Sequence, residues 1–195
     1  MFRRSRGPLD EVRPTELPAR WQAPVVAALD CRMKFHEFLG RIDPGPLRSR
    51  VDEAARGVDE GVLAVWALAQ RGVLASHALA NSDPQKATDD LKAAQRRLAS
   101  AESDAERNDV EAEVAVLSAR HSSLQRLWNT VDEVDEQLER AGDRLRTTVA
   151  QIMELAVTAN TTRSAETIRA IDQTVLELRS LREALEEVQG PSQDD

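Results

Sequence analysis

The amino-acid sequence predicts an all-α protein: an elongated antiparallel helical bundle or coiled-coil hairpin of five helices, one of them very long. The eight prolines stand at positions 8, 14, 18, 24, 44, 46, 84 and 191, so residues 85–190 contain none. That stretch is rich in Ala, Leu, Glu, Arg and Gln, which favour helix. Its apolar residues recur every three or four positions, whereas a strand would need sustained alternation.

Prolines and glycines delimit the first two helices. Residues 1–17 contain two prolines and no apolar periodicity, and they are predicted to be a flexible leader. The first helix is predicted from about Pro18 to Gly40, with Pro24 either bending it or marking its first turn. The sequence Asp-Pro-Gly-Pro at 43–46 then separates two helices, and the second helix is predicted from about Pro46 to Ala80.

Three glycines interrupt the wide apolar stripe of the second helix, at positions 57, 61 and 72. Each costs about 1 kcal/mol of helix stability relative to alanine. We expect the glycines to allow a close approach of neighbouring helices in the core of a bundle.

Capping signals mark the start of the third helix, predicted over 84–101. Asp83 suits an N-cap and Pro84 the first helical position. Ser103 and Glu106 then match a capping box that opens a new helix after a short turn. Since no glycine or proline stops the chain there, one continuous helix over 84–158 is the alternative.

The fourth helix, over about 104–158, is the dominant element, and it would be about 80 Å long if straight. Its apolar residues keep three- and four-residue spacings over about six heptads, which is typical of a seam that pairs with another helix. We name this set the heptad seam, and its candidate interaction residues are Val110, Val114, Leu117, Leu124, Trp128, Val131, Leu138, Leu145 and Ile152. His121 also occupies a seam position and is expected to be a packed or register-setting polar residue.

The last helix is predicted over about 164–188, followed by an acidic tail at 190–195. The predicted organisation is therefore a basic leader at 1–17, a two-helix region at 18–83, a coiled-coil-like region at 84–189 and the tail.

Composition excludes several classes of protein. The 195 residues carry a net charge of −8, concentrated as −11 in residues 57–195, which disfavours binding to nucleic acid. Cys31 is the only cysteine and is expected to be a small buried apolar residue. No apolar run of about 20 residues predicts a membrane span, and the predicted location is the cytoplasm.

No pattern of catalytic, cofactor-binding or metal-ligating residues is visible. His36, His77 and His121 lack ligand partners at helical spacing, and the glycines form no phosphate-binding loop. We therefore expect no enzyme activity, no cofactor, no metal and no small-molecule substrate. A ligand-binding bundle would need a pocket between the first two helices, near Trp21, Trp66 and Phe38.

Two functions remain open. The first is a non-enzymatic interaction or scaffold protein whose seam binds a second copy or a partner helix. The second is a peripheral membrane scaffold, in which the leader residues Phe2, Arg3, Arg4 and Arg6 contact an anionic surface. In outline, a basic N-terminus before a long helical hairpin resembles the architecture of phage-shock-protein-A-like proteins, and that resemblance implies a membrane-surface role.

Overall fold

The computed structural model describes residues 8–162 and 165–187. Within these ranges the fold is all-α, and no strand is present. Two short 3-10 turns, Pro8–Glu11 and Pro14–Glu16, precede the first long helix. The α-helices are α1 (Ala19–Leu39), α2 (Pro46–Ala80), α3 (Pro84–Ser100), α4 (Asp104–Thr162) and α5 (Ala165–Glu187).

The predicted helices are confirmed, including the very long fourth one, which has 59 residues. Pro18 is the N-cap of α1, and Pro24 lies inside that helix. The Asp83 side chain accepts a hydrogen bond from the Lys86 backbone N–H, and Pro84 follows as the first helical residue.

The open alternative for residues 84–158 is resolved as two helices. Helix α3 ends at Ser100, and Ser103 Oγ accepts a hydrogen bond from the Glu106 N–H at 3.2 Å. The Glu106 carboxylate reaches back to the N–H of Glu102, one residue earlier than in a standard capping box. The two side chains satisfy backbone groups that would otherwise be unpaired at the turn.

The chain divides into two compact units. The first unit comprises Met1–Arg71 with Val134–Asp195, and the second comprises Gly72–Glu133. Both divisions fall inside a helix, because α2 and α4 each contribute residues to both units. The predicted division into a two-helix region at 18–83 and a coiled-coil-like region at 84–189 stays a prediction.

In the first unit, polar contacts join α2 to both α1 and α5. Asp59 of α2 accepts hydrogen bonds from Arg32 and His36 of α1 at 2.6 and 2.9 Å, across the short loop that reverses the chain. Arg179 and Arg182 of α5 pair with glutamates of α2, Glu53 and Glu60 respectively. The residue numbers rise together in these two pairs, from 53 to 60 in α2 and from 179 to 182 in α5, so α2 and α5 run parallel.

The core of the first unit is aliphatic with two buried aromatic side chains, as expected for a helix bundle. Its largest fully buried residues come from all four helical segments: Trp21, Val25, Phe35, Val51, Val58, Val62, Leu68, Leu138, Leu145, Ile152, Ile171 and Leu178. Two of the predicted close approaches occur here. A Cβ on Gly57 would lie 3.3 Å from Leu178 Cδ1, and one on Gly61 would lie 3.2 Å from Leu145 Cδ1.

The second unit contains an antiparallel helical hairpin. Arg97 of α3 pairs with Glu113 of α4 at 2.5 Å, and Thr88 Oγ1 lies 3.4 Å from His121 Nδ1. The α3 residue number falls from 97 to 88 as the number of its α4 partner rises from 113 to 121, so the two helices are antiparallel. We call α3 with residues 104–133 of α4 the hairpin.

Candidate interaction surface

The heptad seam is fully buried where α4 belongs to the first unit. Leu138, Leu145 and Ile152 have no exposed surface. Leu145 lies against Gly61 of α2, and Leu138 lines a groove together with Trp21 of α1. These three predicted interaction residues therefore form the intramolecular core.

The same seam is only partly covered in the second unit. Val110, Leu124 and Val131 are buried, whereas Val114 and Leu117 are half-buried. Trp128 is 56% exposed although it occupies a seam position. The hydrogen bonds that α4 makes to another helix in this unit go to α3, and a single neighbouring helix covers only part of an apolar stripe.

Helix α3 has a similarly uncovered apolar edge. Its buried residues are alanines, Ala87 and Ala94, and the larger Leu91 and Leu98 remain half-buried. Leu91 and Leu98 are seven residues apart, so they lie two turns apart on one face. We define the hairpin face as the incompletely buried apolar residues of the heptad seam and of the α3 edge, together with His121: Leu91, Leu98, Val114, Leu117, His121 and Trp128.

One end of the hairpin face contains a cleft of about 200 Å³. Leu79, from the end of α2, and Pro84 line one side, and His121, Leu124 and Trp128 line the other. His121 is half-buried beside Thr88, which agrees with the prediction that it packs at the seam. The indole of Trp128 therefore borders a mainly apolar recess, and 56% of this residue is exposed.

A larger groove of about 580 Å³ lies between α1 and α4 in the first unit. Trp21 at its base donates its indole N–H to the Asp135 carboxylate, and the Arg20 guanidinium lies 4.3 Å from the Trp21 ring centroid. Trp21 lines this groove, but the expected neighbours Trp66 and Phe38 do not. The groove thus differs from the predicted pocket. Its lining residues come from α1 and α4, whereas the predicted pocket lies between α1 and α2.

Cys31 lines an adjoining groove of about 320 Å³ on the same side of α1. Its thiol is free and buried, as predicted. Burial raises the pKa of the Cys31 thiol, and the positive charges of Arg146 and Lys34 partly oppose this rise. A thiol with a raised pKa is a poor nucleophile at neutral pH.

Among the described residues, no group of three or more His, Cys, Asp or Glu side chains could hold a metal ion. The leader residues Phe2, Arg3, Arg4 and Arg6 lie outside the described residues, so membrane contact remains a prediction. Helix α2 is the one described helix long and apolar enough to cross a membrane by length and composition. Its most apolar window is 44% buried in the protein, and a core helix passes the same test.

Comparisons with protein-family models, curated proteins and solved structures find no match to this chain.

The sequence predicts one continuous seam along α4. It does not predict that the seam is buried in the first unit and only partly covered in the second. The long heptad pattern gives no sign of where other helices of the same chain will cover it. A usable signal was the size of the facing residues: the α3 positions that become buried are alanines, which cover little of a leucine or tryptophan opposite them.

Proposed function

We propose that this protein is a non-enzymatic helical scaffold that self-associates through the hairpin face. The contrast in burial along one heptad seam carries the proposal. Leu138 and Leu145 are fully buried inside the chain, whereas Leu117 is half-buried and Trp128 is 56% exposed. Large apolar residues at seam positions are therefore covered by their own chain in the first unit and only partly covered in the second.

Burial by a second copy would stabilise this surface. Each CH₂ group removed from water contributes about 0.8 kcal/mol, and the hairpin face presents several aliphatic side chains and an indole. A second hairpin packed face to face would complete a four-helix arrangement, in which seam residues are covered from two sides.

A pair of neighbouring residues provides the test. Leu117→Glu places a charge in the hairpin face, and Val116→Glu places the same charge on the other side of α4, where Val116 is already 69% exposed. We expect size-exclusion chromatography with light scattering to show at least about a tenfold weaker dimer for Leu117→Glu, since a buried unpaired charge is costly. Val116→Glu should dimerise like the original chain.

Gln95→Glu guards against a folding artefact. Gln95 is exposed between Leu91 and Leu98, so a charge there leaves the hairpin's own packing unchanged while facing the second copy. Circular dichroism verifies the helicity of each variant. A chain that is monomeric at all concentrations, or equal dimerisation by Leu117→Glu, Gln95→Glu and Val116→Glu, would refute the proposal.

A further inference from the structure

We infer that the surface between α1 and α4 binds an amphipathic helix of a partner protein, whose basic half lies against acidic residues of α4. We call the larger groove and the adjoining groove at Cys31, taken together, the α1–α4 groove. All of its lining residues belong to the first unit. The inference therefore goes beyond self-association through the hairpin face and does not depend on it.

The two grooves are continuous and follow two parallel helices. Ala27 and Arg146 line both of them. From one end to the other, the lining rises from residue 20 to residue 34 in α1 and from residue 135 to residue 153 in α4, so the helices run parallel. At 1.5 Å per residue, α1 lines the groove over about 20 Å, or about four helical turns. This is the length of an ordinary helix lying along the groove.

Small side chains in both walls leave room for the backbone of such a helix. Ala23 and Ala27 of α1 face Gly142 and Ala150 of α4 across the groove. A Cβ on Gly142 would meet no atom within 4 Å, so the groove is open at this position. The distance between packed helices depends on the side chains at the contact, and small ones permit a close approach.

The α4 edge of the larger groove is acidic. Asp135, Glu139 and Asp143 line it at four-residue spacing, about one turn apart. Arg20 lies 3.7 Å from Asp135 and Arg146 lies 3.3 Å from Asp143, but these are exposed pairs, which stabilise little and can be replaced. Glu139 makes no ion pair with a described residue. A partner helix with basic residues at four-residue spacing would meet all three carboxylates.

The other half of the groove has a different character. Its apolar lining consists of Ala27, Cys31, Val149, Ala150 and Met153. Its charged residues are Lys34, Arg146 and Asp30, so the balance there is positive. Basic residues of the partner are therefore favoured only beside the acidic edge, and this difference fixes the direction of the partner helix.

Fluorescence anisotropy with the full chain tests the inference. The probe is a labelled helical peptide of leucine, alanine and lysine, about 20 residues long, with its lysines in the first half. It should bind at least about tenfold more tightly than the same peptide with glutamate in place of lysine. Gly142→Phe, which fills the groove, should weaken binding about tenfold or more. Gln151→Phe, at an exposed position of α4 outside the lining, should leave it unchanged.

Charge reversal separates the groove from the overall negative charge of the protein. Glu139→Lys should weaken binding of the lysine peptide about tenfold or more, because it repels the basic half. Glu183→Lys is the matched control, since it makes the same change in net charge at an exposed position of α5. Equal effects of the two substitutions, or undiminished binding by Gly142→Phe, would overturn the inference while leaving self-association untouched. Circular dichroism verifies that each variant is folded.

Two other occupants of the groove would give different results. If the lysine peptide binds only after Arg3, Arg4 and Arg6 are replaced by serine, the leader of the same chain is the occupant. If the peptide binds only at concentrations where the chain is monomeric, a second copy is the occupant. Either result would contradict binding of a partner protein.

Discussion

Gly61 of α2 and Leu145 of α4 are in direct contact, such that a Cβ on Gly61 would lie 3.2 Å from Leu145 Cδ1. The absence of a side chain at Gly61 lets α2 approach the seam leucine closely. The contact explains why a helix tolerates a glycine in its interior, and why this seam residue has no surface left for a partner.

Filling the space at Gly61 should destabilise the bundle. Gly61→Val adds branched carbons where even a single Cβ is tightly placed. We therefore expect the free energy of unfolding, measured in urea, to fall by about 1–3 kcal/mol. Gly142→Ala is the matched control, because a Cβ on Gly142 meets no atom within 4 Å. It should stabilise α4 by about 0.5–1 kcal/mol. Equal effects at the two positions would contradict the close contact.

Removing the acceptor of the Trp21 indole should leave a buried N–H unsatisfied. Trp21 is 1% exposed and donates to Asp135. Asp135→Ala should therefore lower the free energy of unfolding by about 1–3 kcal/mol. The same substitution in a Trp21→Phe background should cost clearly less, since phenylalanine has no donor. Undiminished cost in that background would show that Asp135 acts through other contacts.

The Cys31 thiol should react slowly in the folded protein. Burial raises its pKa, so at pH 8 less of it is thiolate than in an unfolded chain. Alkylation by iodoacetamide should be slower in buffer than in denaturing urea, and the native rate should keep rising at pH values where an ordinary thiol has levelled off. Identical rates in buffer and urea would contradict this environment.

The raised pKa of Cys31 also predicts a direction for stability. Its folded pKa exceeds the unfolded one, so its contribution to stability is complete below the unfolded pKa and is lost as pH rises toward the folded value. The stability advantage of the original chain over Cys31→Ala should therefore shrink at alkaline pH, as measured by urea unfolding.

Loss of the α4 cap should weaken the hairpin near its turn. Ser103→Ala removes the acceptor of the Glu106 N–H, which costs about 1 kcal/mol. Hydrogen exchange should accelerate at the first amides of α4. Ser118→Ala, at an exposed position within α4, has no cap to lose and should leave exchange at the turn unchanged.

Local signals in the sequence were sufficient to locate the helices. Asp83, Pro84 and Ser103 act within one turn of the residues that they cap, so their effects are visible without knowledge of tertiary contacts. The Gly57 and Gly61 contacts were also anticipated, because a glycine in a helix interior needs a packing reason.

The candidate surface was harder to predict, because it depends on which segments of the chain cover each other. Leu117 and Leu138 occupy equivalent seam positions, yet only Leu138 is enclosed by helices of its own chain. The hydrogen bond from Trp21 to Asp135 joins residues 114 positions apart, and no periodic pattern predicts such a contact.

Sedimentation equilibrium of the full chain over a wide concentration range tests the proposed self-association most directly. The chain mass is 21.6 kDa. We predict a concentration-dependent rise from this mass to twice this mass, with Leu117→Glu remaining near the single-chain value and Val116→Glu following the original chain. A single-chain mass at every concentration would contradict the account.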